Sequence, residues 1–538
     1  MTDSTSLMNE EAAKAEALKI FEREVGTTGV DTQITIAGNE HFLKFIVGRD
    51  APFYKHALWE TQKALPIESP FRGALGLSVR KTERFPESLE ATALLTLLTR
   101  STRAVAQDTS ERGFSVPYVP FQNQEDYQLA QPATHVVVGR RGVGKSTLIR
   151  RALEILKDTP IIVAVIDAQA YAALSGDDLA REILDDVVRS LADDTARVSA
   201  LIGQRINTEL LESISTELSG AQVPPGNAAV RIRRALQVIT RITGNHAFVF
   251  LDDFHLLDRD EQPKILHLVH SGLKGANGWL KVAGIRSLLN YYSARDRIGL
   301  QVPGDAQLIA LDLTLENPEA AESHLRAMLE GFLRAVGYSG QSDVLPEPAF
   351  RRLAWANAGV PRDFLHMFAR AVEHARRNRH SMITLSDVNV AIGESGQRKI
   401  DELAQDARNS KGELEELLSA LGTYCLDENE TNGFLLKSTN FNERTLVHIL
   451  SDLRLVHLIS QSITPDRAGE RYEAYILDYS LFTGFRRRPN IREMLEGEGQ
   501  FKASELRTLP KVSEGFLAKR AGSETKGKKR RAKKESAV

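Results

Sequence analysis

Five short apolar runs punctuate residues 131–315: "HVVVG" (135–139), "IIVAVID" (161–167), "AFVFLDD" (247–253), "LKVAGI" (280–285) and "QLIALDL" (307–313). Each is bounded by polar residues or glycine, and helix-period segments lie between them, for instance Asp178 to Leu191 and Ala228 to Ile242. A strand that is apolar at nearly every position has to be covered on both faces, whereas a half-exposed strand alternates. Strands of this kind separated by helices predict an α/β fold with a five-stranded parallel sheet flanked by helices. The runs are far shorter than the ~20 residues of a membrane span.

The rest of the chain divides by composition. Residues 1–130 mix helical stretches (Glu10 to Glu24, Ser88 to Arg100) with irregular Pro- and Gly-bearing segments, carry no chemical motif, and read as an accessory region. Residues 316–410 read as helical throughout, residues 411–485 as mixed helix and strand, and residues 486–538 as a polar, basic tail. The tail contains "KGKKRRAKK" (526–534), with "FRRR" at 485–488 just before it, a charge density that predicts disorder and affinity for polyanions. Net charge over the 538 residues is only −2, so any attraction to nucleic acid has to be local. Cys425 is the single cysteine, which excludes an internal disulfide and a cysteine-built zinc site. With an acidic, polar N-terminal stretch unlike a signal peptide, the simplest expectation is a cytoplasmic, reducing setting.

The first strand runs straight into "GRRGVGKST" (139–147), in which Gly139, Gly144, Lys145 and Ser146 satisfy G-x-x-x-x-G-K-[ST]. Glycine permits the positive φ angles that turn successive N–H groups inward, so Gly139, Arg140, Arg141, Gly142, Val143, Gly144, Lys145, Ser146 and Thr147 form a candidate phosphate cradle. The helix that begins near Ser146 adds its positive end. Lys145 supplies a cation for the β- and γ-phosphates, and the Ser146 hydroxyl is placed to ligate Mg²⁺. Arg140 and Arg141 look less like ligands than like residues that face a lid or a neighbouring subunit. Such a site needs a carboxylate at the tip of a neighbouring strand, and "FVFLDD" offers Asp252 for Mg²⁺ and Asp253 to orient attacking water. Asp253 alone could also serve as a helix cap.

These motifs resemble the core of the AAA+ P-loop ATPases, over about residues 131–400. The resemblance implies ATP and Mg²⁺ as ligands and a polar sensor after "KVAGIRS", at Arg286 or Ser287. It also implies an arginine finger, for which Arg297 is the choice over Arg295 in "NYYSARDRIGLQ". "AGVPRDFLHMF" is similar to the lid signature of this family and makes Arg362 the lid arginine that touches the γ-phosphate. "ITLSDVNVAI" resembles the last lid helix of the origin-recognition and replication-initiator branch. Asp253 departs from the glutamate that many motor ATPases carry, which implies slow turnover.

Beyond the lid, Glu443 to Arg454 reads as a helix with Leu446, Ile449, Leu450 and Leu453 on one stripe, followed by two strands about a turn near Pro465 to Gly469. A helix and hairpin in this order resemble a winged helix, which would set Arg444 and His448 on an exposed recognition face and Arg467 and Arg471 on the wing. Glu443, Asp452, Asp466, Glu470 and Glu473 interleave with these cations, so no basic stripe emerges. The implied function is an ATPase that gates engagement of DNA or of a DNA-processing partner, as a homo-oligomer or with a partner protein. Replication, transposition and anti-phage defence are all open settings. The alternative is a slow signalling switch that gates a partner protein without touching DNA.

Overall fold

The computed structural model describes residues 3–37, 40–80, 84–102, 118–406, 411–465, 470–483, 491 and 503–518. The chain forms two compact units, one of Met1–Val119, Asn317–Gln397 and Tyr479–Pro489, the other of Pro120–Glu316, Arg398–Asp478 and Asn490–Val538.

The first unit opens with helix α1 (Asp3–Val25), strands β1 (Thr32–Ala37) and β2 (Glu40–Val47), α2 (Pro52–Ala64), β3 (Leu75–Val79) and α3 (Leu89–Thr102). The strands form a sheet of order β1-β2-β3, where the sequence reading expected only irregular segments. The missed signal is a period of two: Leu43, Phe45 and Val47 are buried on one face, and Phe45 stacks on Phe21 of α1 with ring centroids 4.1 Å apart.

The second unit contains α4 (Glu125–Leu129), β4 (His135–Val138), α5 (Lys145–Leu156), β5 (Ile162–Asp167), α6 (Gly176–Ile202), α7 (Glu209–Ser219) and α8 (Pro225–Thr243). It continues through β6 (Ala247–Asp252), α9 (Gln262–Leu273), β7 (Gly278–Gly284), a small hairpin of β8 (Tyr292–Ser293) and β9 (Ile298–Gly299), and β10 (Gln307–Ala310). All five apolar runs are strands of one parallel sheet, ordered β10-β4-β7-β6-β5. Both faces are covered over β4, β6 and β7, as the continuous apolar pattern requires, whereas the edge strand β10 leaves Gln307, Leu308 and Ala310 exposed. Val136, Val138, Val249 and Leu251 join one core with residues of α6, α8 and α9, while Val137, Phe248 and Phe250 join the other with Leu148 and Ile149 of α5. The long segment 168–246 is mostly helical, and its "PPG" break opens α8, where Pro225 sits in the first turn.

The chain then returns to the first unit with α10 (Pro318–Ala335), α11 (Glu347–Ala356) and α12 (Pro361–Arg377). These helices pack on the N-terminal elements. Arg376 Nε donates to the Pro86 carbonyl at 2.7 Å, and the Arg49 guanidinium lies 3.9 Å from the centroid of the Tyr338 ring. After α13 (Leu385–Asp406) the second unit gains α14 (Lys411–Gly422), β11 (Gly433–Lys437), α15 (Phe441–Asp452), β12 (Val456–Ile463), β13 (Tyr472–Leu477) and β14 (Lys511–Val512). The strands form a sheet of order β12-β13-β11-β14, with β12 and β13 antiparallel after α15. Arg467 and the basic runs 485–488 and 526–534 lie outside the described residues. No helix among the described residues is long and apolar enough to cross a membrane.

Candidate functional site

The loop after β4 is shaped by its glycines. A Cβ on Gly139 would meet Val143 Cγ1 at 2.7 Å, so only glycine lets the loop close on itself there. Gly142 and Gly144 hold φ of +79° and +110°, the left-handed region that glycine enters without strain. Lys145 is the first residue of α5, and its buried Nζ donates to the carbonyls of Gly139 (2.9 Å) and Arg140 (3.1 Å). Burial pushes the Lys145 ammonium pKa down, while Asp253, Asp312, Asp252 and Asp452 pull it back up.

Register places the acidic partners. β5 pairs with β6 so that Asp167 lies beside Asp252 at the same end of the sheet. The Ser146 hydroxyl donates to the Asp252 carboxylate, which burial nevertheless pushes up. Asp253 sits at φ +47°, with its N–H on Asp252 Oδ1 at 2.9 Å. Its carboxyl is raised to about 6, first by burial and then by the charge of Asp252. Next to it, burial and the cations of Lys145 and Arg141 lower His255 to about 3, so the imidazole is neutral. His255 Nδ1 is buried, 3.9 Å from Asp253 Oδ1, and has no hydrogen-bond partner among the described residues.

Ser146 and Asp252 offer hard oxygen donors that converge, as Mg²⁺ prefers. Phosphate oxygens and water would complete the coordination of such an ion. Arg140 is turned away from the loop mouth. Its buried guanidinium donates to Asp312 Oδ1 (3.2 Å) and the Leu313 carbonyl (2.7 Å), which fastens the loop to the chain after β10. Arg141 keeps its charge within reach of Asp253 and His255.

The remaining candidates are spread more widely. Arg286 and Ser287 lie on the turn after β7, Arg286 exposed and Ser287 half-buried with its N–H donating to Asp452 Oδ2 at 2.9 Å. Arg297 is exposed at φ +56° on the β8–β9 hairpin, and no hydrogen bond or ion pair among the described residues joins it to the loop. Arg362 lies in the first turn of α12, directly after Pro361, and belongs to the first compact unit.

On α15, Arg444 donates to Glu473 Oε1 through Nε (3.0 Å) and a terminal nitrogen (2.6 Å), and His448 Nε2 lies 3.2 Å from Glu473 Oε2. Burial alone would raise Glu473, but hydrogen bonds from His448, Arg444 and Tyr475 outweigh it and hold the carboxyl at about 2. The two residues expected to face DNA are therefore engaged by Glu473 within their own module, while Arg471 is exposed.

Sequence reasoning missed Asp167, His255, Asp312 and Asp452. Asp167 carried the same signal as Asp252, an aspartate closing an apolar run, and Asp312 stands at the end of the fifth run. Asp452 had none, because only folding brings it to a loop some three hundred residues upstream.

A glycine loop between strand and helix, beside an acidic strand tip on a parallel sheet, defines a nucleotide-binding protein of the P-loop class. Residues 126–274 match the family model of the AAA ATPase domain. No curated protein matches the chain in sequence. Among solved structures, it is similar to the ORC2 protein of Aeropyrum pernix in ADPNP and ADP complexes, at 15% identity and a TM-score of 0.39, over 70% of this chain and 94% of that one. A Walker-type ATPase of Pyrococcus abyssi is similar at 16% identity and a TM-score of 0.40, over 68% and 97% of the two chains. The ORC1 protein of Aeropyrum pernix in complex with DNA is similar at 15% identity and a TM-score of 0.36, over 67% and 90%.

Proposed function

We propose that the chain binds ATP with Mg²⁺ at residues 139–147 and hydrolyses it. The observation that supports this reading is the convergence of Lys145, Ser146, Asp252 and Asp253 at one end of the sheet. The loop amides and Lys145 hold phosphate, and Ser146 and Asp252 hold the metal. Mg²⁺ supplies charge that screens the phosphate oxygens. Asp253 orients the attacking water, Arg286 or Ser287 contacts the terminal phosphate, Arg362 acts from the lid, and Arg297 reaches a neighbouring copy. A single buried cysteine, Cys425, suits a cytoplasmic setting.

Asp253 holds and polarises an attacking water best as the carboxylate, which is the stronger acceptor and the base. With the carboxyl of the ligand-free protein at about 6, the rate at limiting ATP (kcat/KM) is expected to be level above that pH. Below it, kcat/KM should fall about tenfold per pH unit, since the ionised fraction does. Phosphate release measured from pH 4.5 to 8 checks this, and a flat profile removes Asp253 from the role.

What hydrolysis drives, in this proposal, is engagement of DNA or of a DNA-processing partner by the winged-helix-like module and the basic run 526–534. The full chain is expected to bind duplex DNA with a steep salt dependence that disappears when residues after Arg520 are removed. A second reading, a slow switch that gates a partner protein, is favoured by the pairing of Arg444 and His448 with Glu473. Absence of DNA binding by the full chain at low salt would select it.

A further inference from the structure

The C-terminal end of α15 is docked on the candidate nucleotide site. Asp452, its last residue, accepts the Ser287 N–H on Oδ2 at 2.9 Å and the Arg141 N–H on its carbonyl at 3.4 Å. One residue thus spans the glycine loop and the turn after β7. Those two segments leave adjacent, register-paired strands at the same sheet edge, Val138 opposite Gly284. Lys145, whose ammonium would lie between the second and third phosphates, is within electrostatic reach of Asp452.

The chemistry of this contact is the reverse of what a phosphate cradle wants. The C-terminus of α15 brings the negative end of its dipole, and Asp452 adds a carbonyl and a carboxyl group. Two N–H donors at the rim of the site are already used by acceptor oxygens of the chain itself. A terminal phosphate that needs the same donors has to compete for them, whereas a nucleotide that stops at the second phosphate leaves the contact in place.

We propose that Asp452 sets the nucleotide-state preference of this site: with α15 docked the pocket takes a nucleoside diphosphate, and a triphosphate enters by displacing Asp452 from Arg141 and Ser287. The inference rests on the nucleotide-binding reading above and adds a residue that discriminates between two ligands. Coupling is reciprocal, so whatever factor docking costs the triphosphate, the triphosphate costs docking. The C-terminal module would then be held in the diphosphate state and loosened in the triphosphate state.

The test uses the full chain, Mg²⁺, ADP and a non-hydrolysable ATP analogue. Asp452→Ala is expected to tighten binding of the analogue on the order of tenfold, within the usual range of such couplings, and to change ADP affinity less than about twofold. Asp452→Asn, which keeps an acceptor oxygen but loses the charge, should fall between. Equal shifts for both nucleotides, or none, would overturn the proposal.

Hydrogen exchange on the wild type gives a readout that no substitution can confound. Peptides covering Ser287 and residues 441–452 should exchange faster with the analogue than with ADP, and identical exchange would count against displacement. Failure of the wild type to bind either nucleotide would instead sink the underlying site assignment. That outcome is distinguishable, because Lys145→Ala would then change nothing.

Discussion

Lys145→Ala is expected to weaken ATP binding on the order of 100-fold or more and to remove hydrolysis with it. A charge-assisted hydrogen bond contributes about 1.5–3 kcal/mol, and Lys145 would make such bonds to two phosphates. The surroundings amplify the loss. Asp252, Asp253, Asp312 and Asp452 all act electrostatically on this ammonium, so without it the rim of the loop is more negative toward a polyanionic ligand. Folding should not suffer comparably, because burial already disfavours the charged lysine in the absence of ligand. Calorimetric titration with ATP and Mg²⁺, alongside a melting curve without ligand, separates the two effects. Unchanged ATP affinity in a folded variant would refute the assignment of the site.

The largest effect on stability is expected at Asp478, just after β13. Its Oδ2 takes Lys399 Nζ at 2.6 Å and His457 Nε2 at 2.7 Å, with the Lys399 and Asp478 side chains fully buried. Burial by itself would raise the carboxyl. Lys399 and His457 overcome that and hold it well below the ordinary carboxylate range. Asp478→Ala would strand the Lys399 ammonium in a dry interior, at a cost of about 3–5 kcal/mol. For a unit of this size that corresponds to a drop of roughly 4–7 °C in melting temperature.

A depressed carboxylate stabilises the fold above its unfolded pKa and loses that contribution as pH falls through the folded value. The gap between wild type and variant should therefore be constant near neutrality and narrow below about pH 4. Exchanging Lys399 and Asp478 together for apolar residues of similar volume should recover much of the loss. A variant that melts with the wild type would show the pair to be dispensable.

The strands were legible because each is a run of apolar residues with polar or glycine punctuation, and the glycine loop because its chemistry is local. Within the site, the residues supplied by consecutive positions, Gly139 to Thr147 and Asp252 to Asp253, could be read directly. Those supplied by register could be read only in part: Asp167 closes an apolar strand as Asp252 does, but nothing in the chain states that β5 and β6 are neighbours. Asp452 and Glu473 were beyond reach, since their roles come from tertiary packing of α15 and β13 rather than from any spacing. The same packing pairs Arg444 and His448 with Glu473, which no spacing in the sequence announces. The N-terminal sheet was overlooked for another reason, a weak alternation read as loop.

The order in which segments enter the two compact units bears on how the protein comes off the ribosome. Residues 1–119 share their unit with residues 317–397 and 479–489, while the whole five-stranded parallel sheet is made in between. About 280 residues therefore separate the synthesis of Val119 from that of Gln397, which at typical elongation rates is a wait of roughly 15–55 s. Through that interval the faces of α3 and its neighbours that will meet α10 and α12 have no partner from their own chain. Nascent chains paused before residue 397 should thus expose these faces and bind chaperones more than the released protein does.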